Sequence, residues 1–88
     1  MLFVGIMKNR RPFAEIVPRR LDYRLPEGMV AVAEYWVEPD TVVLVFETDS
    51  NAAITALTSA WDDVFEMTIA PAMTAQDGIA LAKAMMAD

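Results

Sequence analysis

Three glutamates, Glu34, Glu47 and Glu66, are the residues of this chain whose type best suits them to chemistry. Paired carboxylates act as acid and base on an enolisable substrate when their surroundings push the two pKa values apart. Trp36 lies two residues beyond Glu34 and offers either a flat stacking surface for a ligand or an anchor for a partner. Thr68, two residues beyond Glu66, adds a hydroxyl. The remaining repertoire is narrow. The chain has neither cysteine nor histidine, which removes thiol nucleophiles, disulfides, thiolate zinc sites and imidazole chemistry. It also removes the usual protein ligand to haem iron. Asp62-Asp63 are adjacent acids, far short of a divalent cation's ligand count, and read as the turn that leaves a helix. No metal and no cofactor is expected.

These side chains need elements to hold them. Leu2–Met7 is a short apolar run that suits a central strand buried on both faces. Pro12 suits a first helical position, and Phe13, Ile16, Val17 and Leu21 follow at helical spacing. Pro18 interrupts that pattern, so a kinked helix or two short helical turns are expected. Leu25-Pro26-Glu27-Gly28 is a loop leading into a strand over Met29–Val37. Glu38-Pro39-Asp40 turns the chain into a strand over Thr41–Thr48. Asp49-Ser50-Asn51 offers three good caps for a helix that buries Ile54, Leu57 and Trp61. A strand over Val64–Ala70 alternates Phe65, Met67 and Ile69 with Glu66 and Thr68. Thr74 then opens a last helix from about Ala75 to Met86, with Ile79, Ala82 and Met86 on one stripe. The order is β-α-β-β-α-β plus a terminal helix. This predicts an α+β, ferredoxin-like domain over residues 1–88, with a four-stranded antiparallel sheet and two helices on one face.

If Pro39-Asp40 is a two-residue turn, Trp36 faces Val43 and Glu34 faces Val45. The helix side then collects Met29, Ala31, Ala33, Tyr35 and Val37 with Val42, Leu44 and Phe46. The open face holds Val30, Val32, Glu34, Trp36, Thr41, Val43, Val45, Glu47, Val64, Glu66 and Thr68. Such a face is too apolar for water and too acidic for a dry core. It predicts a homodimer whose interface uses Val32, Trp36, Val43, Val45 and Val64. It also predicts a ligand cleft lined by Glu34, Trp36, Glu47, Glu66 and Thr68.

Composition supports association. The chain is 56% hydrophobic, more than the ~45–50% of an average domain, yet its 88 residues leave little interior. The net charge of −6 is uneven. Between Lys8 and Arg24 six basic residues face only Glu15 and Asp22, a net +4, while the remainder carries −10. Nucleic-acid binding is not expected from a strongly acidic body. No run approaches the ~18 apolar residues of a membrane span, and the early apolar stretch precedes its charges rather than following them. A soluble, cytoplasmic protein is expected.

Several local features carry a family resemblance: Leu25-Pro26-Glu27-Gly28-Met29, Trp36, Glu47-Thr48-Asp49, Trp61-Asp62-Asp63, and Phe65 with Ile69 and Pro71. On them the chain resembles short, uncharacterised members of the dimeric α/β-barrel superfamily, particularly a ferredoxin-like domain-of-unknown-function family. The resemblance implies a fold and a sheet-side cleft, and no particular activity. Better-known relatives in that superfamily include cofactor-free monooxygenases, haem-degrading enzymes and lactone isomerases. Several of these use a histidine that this chain lacks, and Pro18 departs from their long regular first helix.

Three readings follow. The first is a small-molecule-binding or accessory homodimer. The second is a cofactor-independent enzyme, of isomerase or monooxygenase type, using the carboxylates. The third is a structural interaction module whose basic segment docks a partner.

Overall fold

Turn residues and apolar alternation divide the chain into seven elements. The computed structural model describes residues 1–87. Its elements are β1 (Leu2–Asn9), α1 (Phe13–Asp22), β2 (Met29–Val37), β3 (Thr41–Thr48), α2 (Asn51–Trp61), β4 (Phe65–Pro71) and α3 (Ala75–Met86). The strands form one antiparallel sheet in the order β2-β3-β1-β4. This is the expected ferredoxin-like α+β arrangement with an additional C-terminal helix.

The core lies between the sheet and the helices α1 and α2. Phe46 and Leu57 are fully buried, and Met7, Ile16, Val42, Leu44, Trp61 and Phe65 pack with them. Ser50 caps α2 by accepting a hydrogen bond from the Ala53 N–H at 3.1 Å, satisfying one of the donors that every helix start leaves free. Thr48 is buried, and its hydroxyl donates to the Gly28 carbonyl at 2.7 Å and accepts from the Ser50 N–H at 3.1 Å. Gly28 has φ +87°, at the third position of a turn closed by Met29 N–H on Pro26 O, a conformation that glycine adopts without a Cβ penalty.

Two expectations are corrected. The alternative of two short helical turns gives way to one helix, Phe13–Asp22, with Pro18 inside it. Pro18 leaves one backbone bond unmade, and tertiary contacts hold the helix around it. Ile16 is buried in the core. Arg19 pairs with Asp63 at 2.9 Å, donates to the Ala60 carbonyl and lies over the Trp61 ring. The segment from Lys8 to Arg24 is therefore no free basic arm.

The second correction concerns register. Val37 pairs with Thr41, so the hairpin loop is Glu38-Pro39-Asp40, three residues rather than two. Val32 is also inserted as a β-bulge between Ala31 and Ala33. A bulge places an extra residue in one strand and changes the phase of its alternation. Met29 and Ala31 face the helices as expected. Beyond the bulge the faces are reversed: Glu34 lies opposite Leu44 and Trp36 opposite Val42, on the helix side. Ala33, Tyr35 and Val37 turn to the open face, beside Val45, Val43 and Thr41.

Candidate functional site

Glu34 and Trp36 are brought to the helix side at the level where α1 crosses the sheet. There α1 presents Phe13 and Arg20, and a slot of about 40 Å³ opens between them and the core. That volume holds roughly three water molecules. Met7, Ile16, Val42, Leu57, Trp61 and Phe65 are among its apolar walls. Arg20, Tyr23, Glu34 and Trp36 supply its polar atoms.

Glu34 is the hub of that polar group. Arg20 donates to it twice, from Nε to Oε2 at 3.0 Å and from Nη2 to Oε1 at 2.5 Å. The Trp36 indole N–H donates to Oε2 at 2.7 Å. The two-pronged guanidinium fork fits a carboxylate better than a point charge would. The hydrogen bonds from Arg20 hold the Glu34 carboxyl below its usual range, against the opposing effect of burial. The same pairing raises the Arg20 pKa. The Trp36 ring stacks on Phe13 with centroids 6.0 Å apart and planes 15° from parallel. Deeper in, Tyr23 meets Trp61 edge-on at 5.1 Å. Burial is the main influence on the Tyr23 phenol and pushes its pKa up, so it is neutral and able to donate at neutral pH.

The five expected cleft residues do not come together. Glu34 and Trp36 face the helices, whereas Glu47 and Glu66 lie on the open face, opposite Leu2 and Lys8 respectively. Thr68, opposite Ile6, is also on the open face. The sheet thus separates Glu34 from the other two glutamates, and they cannot act on one substrate as a carboxylate set. Glu34 is moreover fully engaged by donors, which makes it a weak base.

The expected interface residues are likewise divided. Val43 and Val45 are on the open face, and Val32 is the exposed bulge residue. Trp36 is on the opposite side. Val64 precedes β4 and packs against the core. The open face is more apolar than expected, since Tyr35 and Val37 replace Glu34 and Trp36 there. Its charged residues are Lys8, Glu47 and Glu66.

Sequence reasoning missed Arg20 as the partner of Glu34, and Tyr23 as a wall of the same slot. The available signal was the helical spacing of Phe13 and Arg20, seven residues apart and so on one face of α1. Asp63 is taken up by Arg19. Among the described residues no three acidic groups gather to hold a metal ion. No described helix is long and apolar enough to cross a membrane.

Neither a curated protein nor a solved structure matches the chain. A family model does match residues 1–86, and its description is a domain of unknown function (DUF3303). The chain, with its ferredoxin-like sheet and its Arg20–Glu34–Trp36 slot, belongs to that family.

Proposed function

We propose that this chain is a homodimeric small-molecule-binding or accessory protein with no chemistry of its own. Its ligand enters the slot beneath α1, and two copies pair through the open faces of their sheets, in the manner of a dimeric α/β barrel. One observation carries the ligand reading: an otherwise apolar slot holds a linked Arg20–Glu34–Trp36 group.

The hydrogen-bond inventory defines what would fit. A guanidinium has five N–H groups, and Arg20 uses two of them on Glu34. Those remaining, with the neutral Tyr23 hydroxyl, give the slot spare donors. The Glu34 carboxylate already accepts three bonds. The favoured ligand, or the part of it that enters, is therefore a group of about three or four heavy atoms carrying an acceptor oxygen. The same bonds that keep Glu34 ionised count against acid–base catalysis, which works best near the operating pH.

Calorimetric titration tests this with acetate and acetone as acceptor probes and methylamine as a donor probe. The acceptors should bind more tightly, and Arg20→Gln should weaken them at least 10-fold. Equal binding of methylamine, or an indifferent Arg20→Gln variant, would overturn the reading. Pairing is tested separately by sedimentation equilibrium. Val43→Asp places a charge in the open face and should yield monomer with the slot intact.

A further inference from the structure

The middle of β1 holds a glycine that its backbone does not require. Gly5 is buried, and it pairs with Leu44 on one side and Ile69 on the other. It has no positive φ, so its conformation suits any residue. A glycine weakens a strand interior and often marks a close approach by another group. Here that group is Met7. A Cβ at residue 5 would stand 3.1 Å from Met7 Cε, 3.6 Å from Ile69 Cγ1 and 3.7 Å from the Leu44 carbonyl oxygen. The first distance is shorter than the ~3.5–4.0 Å of an ordinary carbon contact. The Met7 methyl therefore lies in space that a side chain at residue 5 would claim.

Met7 is itself buried and lines the slot. It pairs with Val42, and Val42 with Trp36. In the next cross-strand row Gly5 pairs with Leu44, and Leu44 with Glu34. Met7 leans from its own row onto Gly5 and so keeps the sheet side of the slot low. Among the described residues that line the slot, it is the only unbranched apolar side chain. Its three rotatable bonds let it take up other shapes, where its branched and aromatic neighbours are stiffer.

We infer that Gly5 and Met7 set the length of ligand that the slot accepts: Met7 is an adjustable floor, and Gly5 lets that floor lie flat. The inference rests on the ligand slot proposed above and names its ligand class, a short-chain carbonyl compound. The carbonyl oxygen lies toward Arg20 and Tyr23, and the alkyl end rests on Met7. A slot of about 40 Å³ takes three or four heavy atoms, so a longer alkyl end meets the methionine. A side chain at residue 5 would point from the sheet toward the helices. It would lift the Met7 methyl toward Ile16 and Leu57, which are slot walls on α1 and α2.

Neutral ketones vary the alkyl end without changing charge. Titrations of the full chain with acetone, 2-butanone and 2-pentanone, followed by the methionine methyl resonances, should show affinity falling as the chain lengthens. Met7→Ala should reverse that order, with a gain of about fourfold for each added methylene that finds room. Gly5→Ala should weaken acetone about fourfold, since the displaced methyl takes the place of one from the ligand. In a Met7→Leu background, whose side chain is one atom shorter, Gly5→Ala should leave acetone binding unchanged. An unreversed order in Met7→Ala overturns the inference, as does a Gly5→Ala variant that binds acetone like the parent. Equal weakening by Gly5→Ala in both backgrounds also overturns it, because the change would then act on the sheet and not through Met7. Met7→Ala is a large-to-small core change in a small domain. If circular dichroism shows that variant unfolded, Gly5→Ala with and without Met7→Leu decides alone. A parent that binds none of the ketones overturns the ligand slot together with its floor, whereas a parent that binds all three equally overturns only the floor.

Discussion

Replacing Glu34 by Gln tests the assignment of the helix-side site most directly. The side chain keeps its shape and loses its charge. In the native protein the carboxylate accepts three hydrogen bonds, two from Arg20 and one from Trp36. A glutamine oxygen can retain one or two of them, while its amide nitrogen turns a donor toward a donor. Hydrogen bonds to a charged group contribute about 1.5–3 kcal/mol each. That range must be reduced here, because the Arg20 side chain is 36% and the Glu34 side chain 20% exposed, and water screens and replaces part of what is lost. A cost of about 1.5 kcal/mol is expected. For a domain of this size each kcal/mol moves the melting temperature by about 4–8 °C, so the variant should melt about 6–12 °C lower.

The pH dependence gives an independent readout. The folded-state pKa of Glu34 is lowered relative to the unfolded chain, chiefly by the Arg20 hydrogen bonds. Its contribution is therefore fully present above the ordinary glutamate value of about 4.3. It is lost as the pH falls from there through the lowered folded-state value. Urea unfolding at pH 7 and across the acid range should show the gap between parent and Glu34→Gln closing on acidification. A double-mutant cycle with Arg20→Gln should give a coupling of about 1 kcal/mol. A variant within 0.5 kcal/mol of the parent at pH 7, with the same acid slope and no coupling to Arg20, would refute the helix-side placement of Glu34.

Trp36→Ala should lower stability by about 2 kcal/mol, through loss of a half-exposed ring and its stack on Phe13, while light scattering shows an unchanged oligomeric state; a change to monomer would return Trp36 to the open face. Gly28→Ala forces a Cβ into φ +87° and should cost about 1–2 kcal/mol, read as a lower urea midpoint at constant slope; an unchanged midpoint would mean that the turn has another conformation. Because burial raises the Tyr23 pKa, the parent should lose stability as pH rises above the ordinary phenol value of about 10. Tyr23→Phe should flatten that decline in alkaline unfolding curves, and an unaltered decline would place Tyr23 outside the slot.

The order of elements was legible in the sequence because each boundary carries its own chemistry. Ser50 caps α2, Thr74 caps α3, and Pro26 with Gly28 turns the chain. Trp61 falls in the core, as its spacing with Ile54 and Leu57 requires. The faces of β2 were not legible beyond Ala31. Val30 to Ala33 alternate valine with alanine, so no large or charged side chain there marks which residue is inserted. Pro39-Asp40 suits a two-residue loop as well as it suits the last two positions of a three-residue one. The continuity of α1 was hidden for a related reason. Propensity disfavours Pro18, and the contacts that outweigh it, Arg19 with Asp63 and Trp61, join residues more than forty positions apart.

The bulge at Val32 accounts for both functional surfaces at once. With regular alternation from Met29, Glu34 would stand on the open face, where a carboxylate opposes apolar pairing, and Tyr35 would occupy the slot. The inserted residue exchanges them. Glu34 moves to where Arg20 can neutralise it, and Trp36 moves to where Phe13 can stack on it. Tyr35 and Val37 then extend the apolar patch of Val43 and Val45. One residue of slippage therefore makes the helix side more polar and the open side more apolar. Deleting Val32 should reverse both effects. The shortened strand must either return Glu34 and Trp36 to the open face or shift register against β3. Either outcome should abolish the Arg20–Glu34 coupling and, if the sheet faces pair, weaken the dimer in the same molecule. Loss of one without the other would show that the two surfaces are built independently.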